Sequence, residues 1–156
     1  MRVHLIAVGT RMPAWVGEAY TEYAGRLAAG WRMELHEVPM EKRVRNADIA
    51  RLRDREGERL LAAVPTGARI VTLDEHGRSL STRQLADRLN DWSVDGRELA
   101  LLVGGPDGLS PACRDAADFV WSLSPLTFPH PLVRVILAEQ MYRAWSVLQG
   151  HPYHRD

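Results

Sequence analysis

The fold is decided by residues 69–103, which begin Arg-Ile-Val-Thr-Leu-Asp and end Glu-Leu-Ala-Leu-Leu-Val. The first run, residues 69–74, is rich in β-branched residues and is typical of a buried strand. Residues 81–92, between the two runs, have a helical period that turns Leu85 and Leu89 inward. The second run, residues 98–103, predicts another strand, so the stretch indicates a strand, a helix and a strand in succession.

The same alternation extends outward in both directions. Because strands alternate with helices, the chain is predicted to be an α/β domain with a mainly parallel sheet flanked by helices. At 156 residues it fits one domain, 1–156. Further strands are predicted at 1–8, 33–38 and 119–123, and further helices at 14–27, from Asp48 onward, and at 132–148.

Composition restricts the partners of the chain. Lys and Arg number 20, as do Asp and Glu, so the formal net charge is zero. Phosphate contacts with Lys and Arg normally supply much of the affinity for nucleic acid, so any RNA-binding role must use local patches. One such patch is the loop 41–46, with Lys42, Arg43 and Arg45, which is equally well interpreted as a mobile solvated connection.

Other classes of protein are disfavoured. The charge-free apolar runs are too short to cross a bilayer, and the N-terminus lacks a secretion signal, so no membrane partner and a cytoplasmic location are expected. Cys113 is the single cysteine, which excludes an intramolecular disulfide and a Cys-rich metal site. We expect it to be an inert helix residue.

Three strand ends carry the most distinctive residues: Leu73-Asp74, the glycine-rich segment 104–108, and the loop 123–128. Ligands of open α/β sheets collect at the carboxyl ends of strands. Gly104, Gly105 and Gly108 would let backbone approach a ligand closely, although a plain tight turn explains them equally well. The segment matches neither the dinucleotide fingerprint nor the ATP phosphate loop.

The loop 123–128 is apolar except for Ser124 and Thr127, which suits the faces of an adenine, although such a loop alone is more often core. His130 follows between two prolines that fix the backbone, ahead of a helix that carries Arg134. This rigidity suggests a positioned side chain, although a histidine at a helix start is more often a cap or a surface residue.

The end of the chain concentrates aromatic and cationic groups. The last helix carries Tyr142 and Arg143 among apolar residues, as any amphipathic helix could, but residues 151–155 read His-Pro-Tyr-His-Arg. Side chains of these types stack on unpaired bases and contact phosphates. The tail therefore predicts an RNA-facing surface.

Taken together, these motifs resemble the bacterial ribosomal RNA large-subunit methyltransferase H family of the SPOUT superfamily. The resemblance spans nearly the whole chain and is carried by Val8-Gly9-Thr10 with Met12-Pro13, Asn46-Ala47-Asp48-Ile49, Glu56-Gly57-Glu58, the run 102–110, Pro129 to Arg134, Tyr142 to Ser146 and His151 to Arg155. It implies transfer of a methyl group from S-adenosylmethionine to N3 of pseudouridine 1915 in helix 69 of 23S rRNA, on the assembled 70S ribosome. It also implies a homodimer and a C-terminal deep trefoil knot, an exception to the rule that chains avoid knots.

The resemblance assigns roles position by position. It implies a cofactor pocket formed by Leu73, Gly104, Gly105, Gly108, Leu123, Ser124, Pro125, Leu126, Thr127 and Phe128. It implies RNA binding by Arg134, Tyr142, Arg143, His151, Tyr153, His154 and Arg155.

For catalysis, His130 could act as the general base, or Arg134 and backbone N–H groups could stabilise the anion that develops on the nucleobase. We favour the second alternative. The chemistry requires no metal, and the C-terminal histidines lack acidic or thiolate co-ligands, so none is expected. Two competing functions are a non-catalytic ribosome-associated factor, disfavoured by the intact glycine and loop motifs, and another nucleotide-binding enzyme such as an oxidoreductase, disfavoured by the missing phosphate-binding turn.

Overall fold

The computed structural model describes residues 1–155, and Asp156, the last residue of the expected domain, lies outside the described residues. The strands are β1 (Arg2–Val8), β2 (Arg32–Val38), β3 (Arg69–Ser79), β4 (Leu99–Val103) and β5 (Phe119–Ser122). The helices are α1 (Ala14–Ala24), α2 (Ile49–Ala62), α3 (Thr82–Val94), α4 (Pro111–Ala116) and α5 (His130–Leu148). Among the described residues, no helix combines the length and the apolar composition needed to span a bilayer.

The five strands form one sheet in the order β2-β1-β4-β3-β5, and every pair of neighbours is parallel. The predicted α/β class with a parallel sheet is confirmed. Because β4, β3 and β5 are neighbours, their carboxyl ends, where ligands collect in such sheets, lie side by side.

Helices cover both faces of the sheet. On one face Leu5, Val71, Leu101 and residues of α1, α3 and α5 form the larger apolar core. On the other face Ile6 and Leu102 pack with residues of α2 and α4, forming the smaller core. Burial of apolar surface on both faces explains why the strands read as continuous apolar runs rather than alternating ones.

Local signals fix where the helices begin. The Asp48 side chain accepts a hydrogen bond from the Arg51 backbone N–H at 3.2 Å and caps α2. Ser81 and Gln84 form a reciprocal capping box at the start of α3. Cys113 lies buried in α4, as expected for an inert helix residue, and burial raises the pKa of its thiol.

Candidate active site

The carboxyl ends of β3 and β4, the loop after β5 and the start of α5 enclose a cleft of about 590 Å³. That volume lies within the usual range for small-molecule sites. The three strand ends singled out in the sequence are therefore brought together at one place. The predicted cofactor residues that line the cleft are Leu73, Gly104, Gly105, Gly108, Leu123, Ser124, Leu126, Thr127 and Phe128, whereas Pro125 is not among the lining residues.

The glycine-rich segment is a tight turn built against the cleft. The Gly108 N–H donates to the Gly105 carbonyl at 3.0 Å, and Gly108 has a φ of +77°. A Cβ on Gly104 would lie 2.6 Å from the carbonyl carbon of Gly108. The two interpretations left open by the sequence are thus compatible, because the tight turn is what lets bare backbone form the wall of the cleft.

A bulge in β3 forms the opposite wall. Leu73 and Arg78 both pair with Trp121 of β5, so residues 74–77 are looped out of the ladder. A Cβ on Gly77 would lie 2.8 Å from the backbone of Trp121, so this residue has to be glycine for the strand to rejoin its neighbour. The Thr127 hydroxyl donates to the Glu75 carboxylate at 2.7 Å, which ties the bulge to the loop after β5.

The bulge contributes polar lining residues that sequence reasoning missed. Asp74 belongs to a strand end that the sequence did single out, but Glu75 and His76 look like ordinary turn residues. Arg114 of α4 pairs with Asp74 at 3.0 Å, a contact between residues 40 positions apart that no local pattern indicates. The remaining lining residues are Val103, Pro106, Asp107, Leu109, Pro129 and Val133.

A cluster of charged side chains around the buried Glu56 is bonded to the glycine-rich turn. Glu56 is only 2% exposed and accepts hydrogen bonds from both Nη atoms of Arg43, with Nη2 at 2.9 Å. The same Nη2 donates to Asp107 in the turn, also at 2.9 Å. These bonds, first the one to Glu56, raise the pKa of Arg43. Arg43 is therefore a fixed structural cation rather than part of a mobile loop, while Lys42 and Arg45 remain exposed.

His130 is the first residue of α5 and lines the cleft. Its Nδ1 is buried, and no described residue forms a hydrogen bond with it. Burial lowers the pKa of His130, the neighbouring Arg134 lowers it further, and Glu56 acts in the opposite direction. The lowered pKa favours the neutral imidazole, which can accept a proton.

Arg134 is in a different environment. It is 1% exposed, and its Nη1 donates to Glu37 at 2.6 Å while Nη2 donates to the carbonyl of Gly9 at 2.7 Å. It does not line the cleft. Within one chain the guanidinium holds the ends of β1 and β2 against α5, so direct contact with RNA or substrate would require these bonds to open.

The remaining RNA-binding candidates lie where the tail folds against α5. We call them the tail cluster, which consists of Tyr142, Arg143, His151, Tyr153, His154 and Arg155. The rings of Tyr142 and Tyr153 lie 4.5 Å apart, and Arg143 is positioned over Tyr153 at 5.0 Å. Glu139 accepts hydrogen bonds from Arg143 and from the Tyr153 hydroxyl, the latter at 3.0 Å. Burial, together with this bond, raises the pKa of Tyr153 to about 12.

The sequence predicted an RNA-facing surface, but only some residues of the tail cluster are exposed. Tyr142 is buried, whereas His151 and Arg155 are exposed and His154 is half-buried beside Ser146. Sequence reasoning missed Arg26, whose guanidinium lies 5.6 Å from the Tyr142 ring. None of these residues lines the cleft, so within a single chain the tail cluster is separate from the cleft.

A family model described as "Predicted SPOUT methyltransferase" matches residues 1–154. The chain belongs to the SPOUT methyltransferase family. It is therefore a methyltransferase, and the methyl donor of this family is S-adenosylmethionine. The resemblance found in the sequence is confirmed.

A relative from Thioalkalivibrio sulfidiphilus (strain HL-EbGR7), called ribosomal RNA large subunit methyltransferase H, is 65% identical over 156 residues, covering 100% of both chains. Among solved structures, a probable methylase family protein from Haemophilus influenzae Rd KW20 aligns with a TM-score of 0.56 and 9% identity, over 99% of this chain and 70% of that one. A structure described as giving insights into the 2-OH methylation of C/U34 on tRNA aligns with a TM-score of 0.50 and 20% identity, over 96% and 98%. Both likenesses concern the fold alone.

The cleft fits the methyl donor of the SPOUT family. Leu73, Leu123 and Phe128 provide apolar surface of the kind that holds the faces of an adenine. No atom lies within 4 Å of the position that a Cβ of Gly108 would occupy, so the turn leaves open space beside its backbone. Asp74 and Glu75 bring carboxylates to the same wall, which suit ribose hydroxyls or an ammonium group.

Proposed function

We propose that this chain methylates N3 of pseudouridine 1915 in helix 69 of 23S rRNA, on the assembled 70S ribosome. The observation that carries the proposal is the full-length identity of 65% to a relative named ribosomal RNA large subunit methyltransferase H. The tail cluster supports it, because aromatic and cationic side chains suit unpaired bases. A ribosomal substrate would place the protein in the cytoplasm.

The cofactor would be held by the lining residues predicted from the sequence. Leu73, Leu123 and Phe128 would grip the adenine, and backbone groups of the loop 123–128 and of the Gly104–Gly108 turn would hydrogen-bond its polar edges. Pro125 would shape the loop without touching the ligand. S-adenosylmethionine supplies a methyl group on a sulfonium centre, which needs no further activation.

His130 is our candidate for proton transfer. Methylation replaces the N3 proton of the base by a methyl group, so that proton must leave, and the weak acidity of a uracil-type N3–H calls for a base. His130 lines the cleft and its lowered pKa favours the neutral form, which suits proton acceptance at its imidazole. Arg134 is buried in its own ion pair, so we now give it a positioning role, with stabilisation of the anion assigned to backbone N–H groups.

A homodimer would join the two separated regions. In one chain the tail cluster and the cleft share no residue, whereas a second copy could bring its tail, with His151, Tyr153, His154 and Arg155, to the cleft of the first. The exposed Lys42 and Arg45 would make the surface around the RNA locally positive, even though the net charge of the chain is zero.

We also propose the deep trefoil knot of the SPOUT fold. After β5 at one edge of the sheet, the chain returns past β3 and β4, and Arg134 donates a hydrogen bond to Gly9 at the end of β1. This return path packs α5 against α1 and α3 on one face of the sheet and brings it to the end of β1, an arrangement that is compatible with a threaded C-terminal segment.

Labelled S-adenosylmethionine, incubated with purified protein and ribosomes from a strain that lacks this activity, tests the proposal. We expect label on a pseudouridine of helix 69, and none with free 23S rRNA. Label on another nucleotide would keep the methyltransferase and reject the target. Binding of the cofactor without any labelled RNA would instead favour the competing interpretation, a non-catalytic ribosome-associated factor.

A further inference from the structure

A second group of polar side chains lies on the sheet toward the amino ends of its strands, away from the cleft. In the register of β1 and β2, His4 is opposite Glu34, and His36 is two residues further along on the same face. Glu98, just before β4, approaches from the other side. His4 is only 4% exposed, so its ring nitrogens are placed by the fold rather than by solvent.

The hydrogen bonds of His4 indicate which of its ring nitrogens carries a hydrogen and which carries the lone pair. Its Nε2 lies 2.5 Å from Oε2 of Glu98. Because a carboxylate can only accept, Nε2 carries the hydrogen, and the lone pair of a neutral His4 is on Nδ1. That Nδ1 therefore accepts a hydrogen bond from Nε2 of His36 at 2.9 Å, and a metal ion between the two nitrogens would take the place of this shared hydrogen, which His36 would then carry on its Nδ1 or release. A histidine whose second nitrogen is held by a carboxylate is the usual arrangement around protein-bound zinc.

The carboxylates divide their oxygens between two sets of partners. Glu34 presents Oε1 to Arg2 at 3.9 Å and to Arg32 at 3.5 Å. Its other oxygen, Oε2, lies 3.9 Å from Nε2 of His36. Glu98 likewise presents Oε1 to Arg2, at 3.4 Å, and Oε2 to His4. The arginines therefore lie near one oxygen of each carboxylate, and the other oxygen of each is nearest to a histidine.

We propose that His4, His36 and Glu34 bind a zinc ion, with Glu98 as the outer carboxylate that orients His4. One ligand atom from each of the three residues lies within 4.8 Å of the other two. Two nitrogens bound to one zinc ion at the usual bond length are about 3.3 Å apart, so the two rings need to separate by only a few tenths of an ångström. His36 is at the surface and can make that adjustment.

The donor set selects the metal. Two imidazoles and one carboxylate suit zinc and its late transition-metal neighbours, whereas magnesium and calcium prefer oxygen ligands. Water would complete the tetrahedron. The ion would join β1 to β2, the edge strand of the sheet, so its role is to stabilise the fold and not to take part in methyl transfer.

Zinc binding is tested on the full chain after removal of metals with a chelator. We expect one zinc ion to bind, measured by competition with a chromophoric chelator, and to raise the melting temperature, since the ligand binds the folded state. Magnesium should do neither. Cobalt bound in place of zinc should show the visible absorption of tetrahedral coordination.

Matched variants locate the site. His36→Gln and Glu34→Gln, both at the surface, should each weaken zinc binding by at least about tenfold and abolish the thermal shift while leaving methylation unchanged. His76→Gln, an exposed histidine elsewhere, should bind zinc normally. Absence of saturable zinc binding by the unaltered protein would overturn the proposal, as would unchanged affinity in both site variants or an equal loss in His76→Gln.

Discussion

Gly104 has no room for a side chain, because its missing Cβ would lie 2.6 Å from the Gly108 carbonyl carbon and 3.0 Å from the Leu109 nitrogen. Both neighbours are backbone, so Gly104→Ala must displace the turn that forms one wall of the cleft. We expect the dissociation constant for S-adenosylmethionine to rise by about tenfold or more and the free energy of unfolding to fall by about 1–3 kcal/mol. Calorimetric titration and urea unfolding measure the two effects.

Gly17 provides the control for that change. It lies in α1, and a Cβ there would have nothing within 4 Å. Gly17→Ala should leave cofactor affinity unchanged and raise stability by about 0.5–1 kcal/mol, because alanine is the better helix former. If Gly104→Ala bound the cofactor as well as Gly17→Ala does, the close backbone turn would not be part of the cofactor site.

His130 carries the second prediction. If it accepts the N3 proton, His130→Gln should slow single-turnover methylation by about 100-fold or more. Because burial lowers the pKa of His130, the unaltered enzyme should keep its rate down to a pH below the ordinary histidine value of about 6.5 and lose it as the pH falls further. The variant should lack this step in its pH profile.

His76 is the matched control, since it also lines the cleft but its side chain is 84% exposed. His76→Gln should retain most of the rate and the same pH profile. A full rate in His130→Gln would remove the general-base role and return the choice to stabilisation of the anion by other groups.

Residue types predicted which residues line the cleft better than they predicted the exposure of the candidates for RNA binding. The lining positions are glycines and apolar residues at strand ends, and their place follows from the topology. Arg134 and Tyr142 look like surface groups in the sequence but are 1% and 5% exposed. Arg134 pairs with Glu37 of β2, and the ring of Tyr142 packs against Tyr153 of the tail. Neither partner is a neighbour on α5, so no local pattern indicates that the two residues are buried.

At the scale of elements, the starts of helices were the most predictable feature. Asp48 and Ser81 cap α2 and α3 where the sequence placed them, because a cap is a local hydrogen bond between neighbouring residues. Strand β3 was predicted to end at Asp74 but continues to Ser79. The continuation follows a bulge whose pairing with Trp121 is a tertiary contact, and the polar residues 74–79 read as a turn.

The contact between α2 and the glycine-rich turn gives a prediction at this scale. Glu56 of α2 is buried and binds Arg43, which in turn binds Asp107. Glu56→Gln keeps the shape but removes the charge, so we expect the free energy of unfolding to fall by about 2–3 kcal/mol, as for other charge-assisted hydrogen bonds. Cofactor affinity should fall as well, because the turn loses its support.

Glu58 lies two residues further along α2 and is exposed, so Glu58→Gln is the matched control and should change neither quantity. A double-mutant cycle with Arg43→Lys isolates the pair, because lysine cannot make the two bonds of the guanidinium. Additive losses in that cycle would mean that Glu56 supports α2 by itself and that Arg43 does not link it to the turn.

At the scale of the whole molecule, the sequence predicts the number and direction of strands but not their order. The order β2-β1-β4-β3-β5 places β4 between β1 and β3, an arrangement set by pairings between residues as far apart as Val3 and Leu99. The three strand ends of the site meet because of this order. Periodicity is a local property, so the order of the strands is not encoded in it.

The separation of the cleft and the tail within one chain leads to a prediction about the tail. Removal of residues 153–156, of which Asp156 lies outside the described residues, should raise the KM for ribosomes by about tenfold or more through lost stacking and phosphate contacts. Cofactor affinity should stay within about twofold, since Tyr153 and its tail neighbours do not line the cleft. Tyr153→Phe, which loses only the bond to Glu139, should have a smaller effect, and equal losses of both affinities would make the tail structural.

Co-expression of two impaired chains, assayed with ribosomes well below the KM of the unaltered enzyme, tests whether each site uses both subunits. One chain carries His130→Gln with an intact tail, and the other lacks residues 153–156 but keeps His130. If the tail of one subunit serves the cleft of its partner, mixed dimers contain one complete site, and statistical pairing should restore about a quarter of the normal activity. If each chain used its own tail, no site in any dimer would be complete and the mixture would keep the low activity of the two chains assayed separately, so a rise above that level separates the two arrangements.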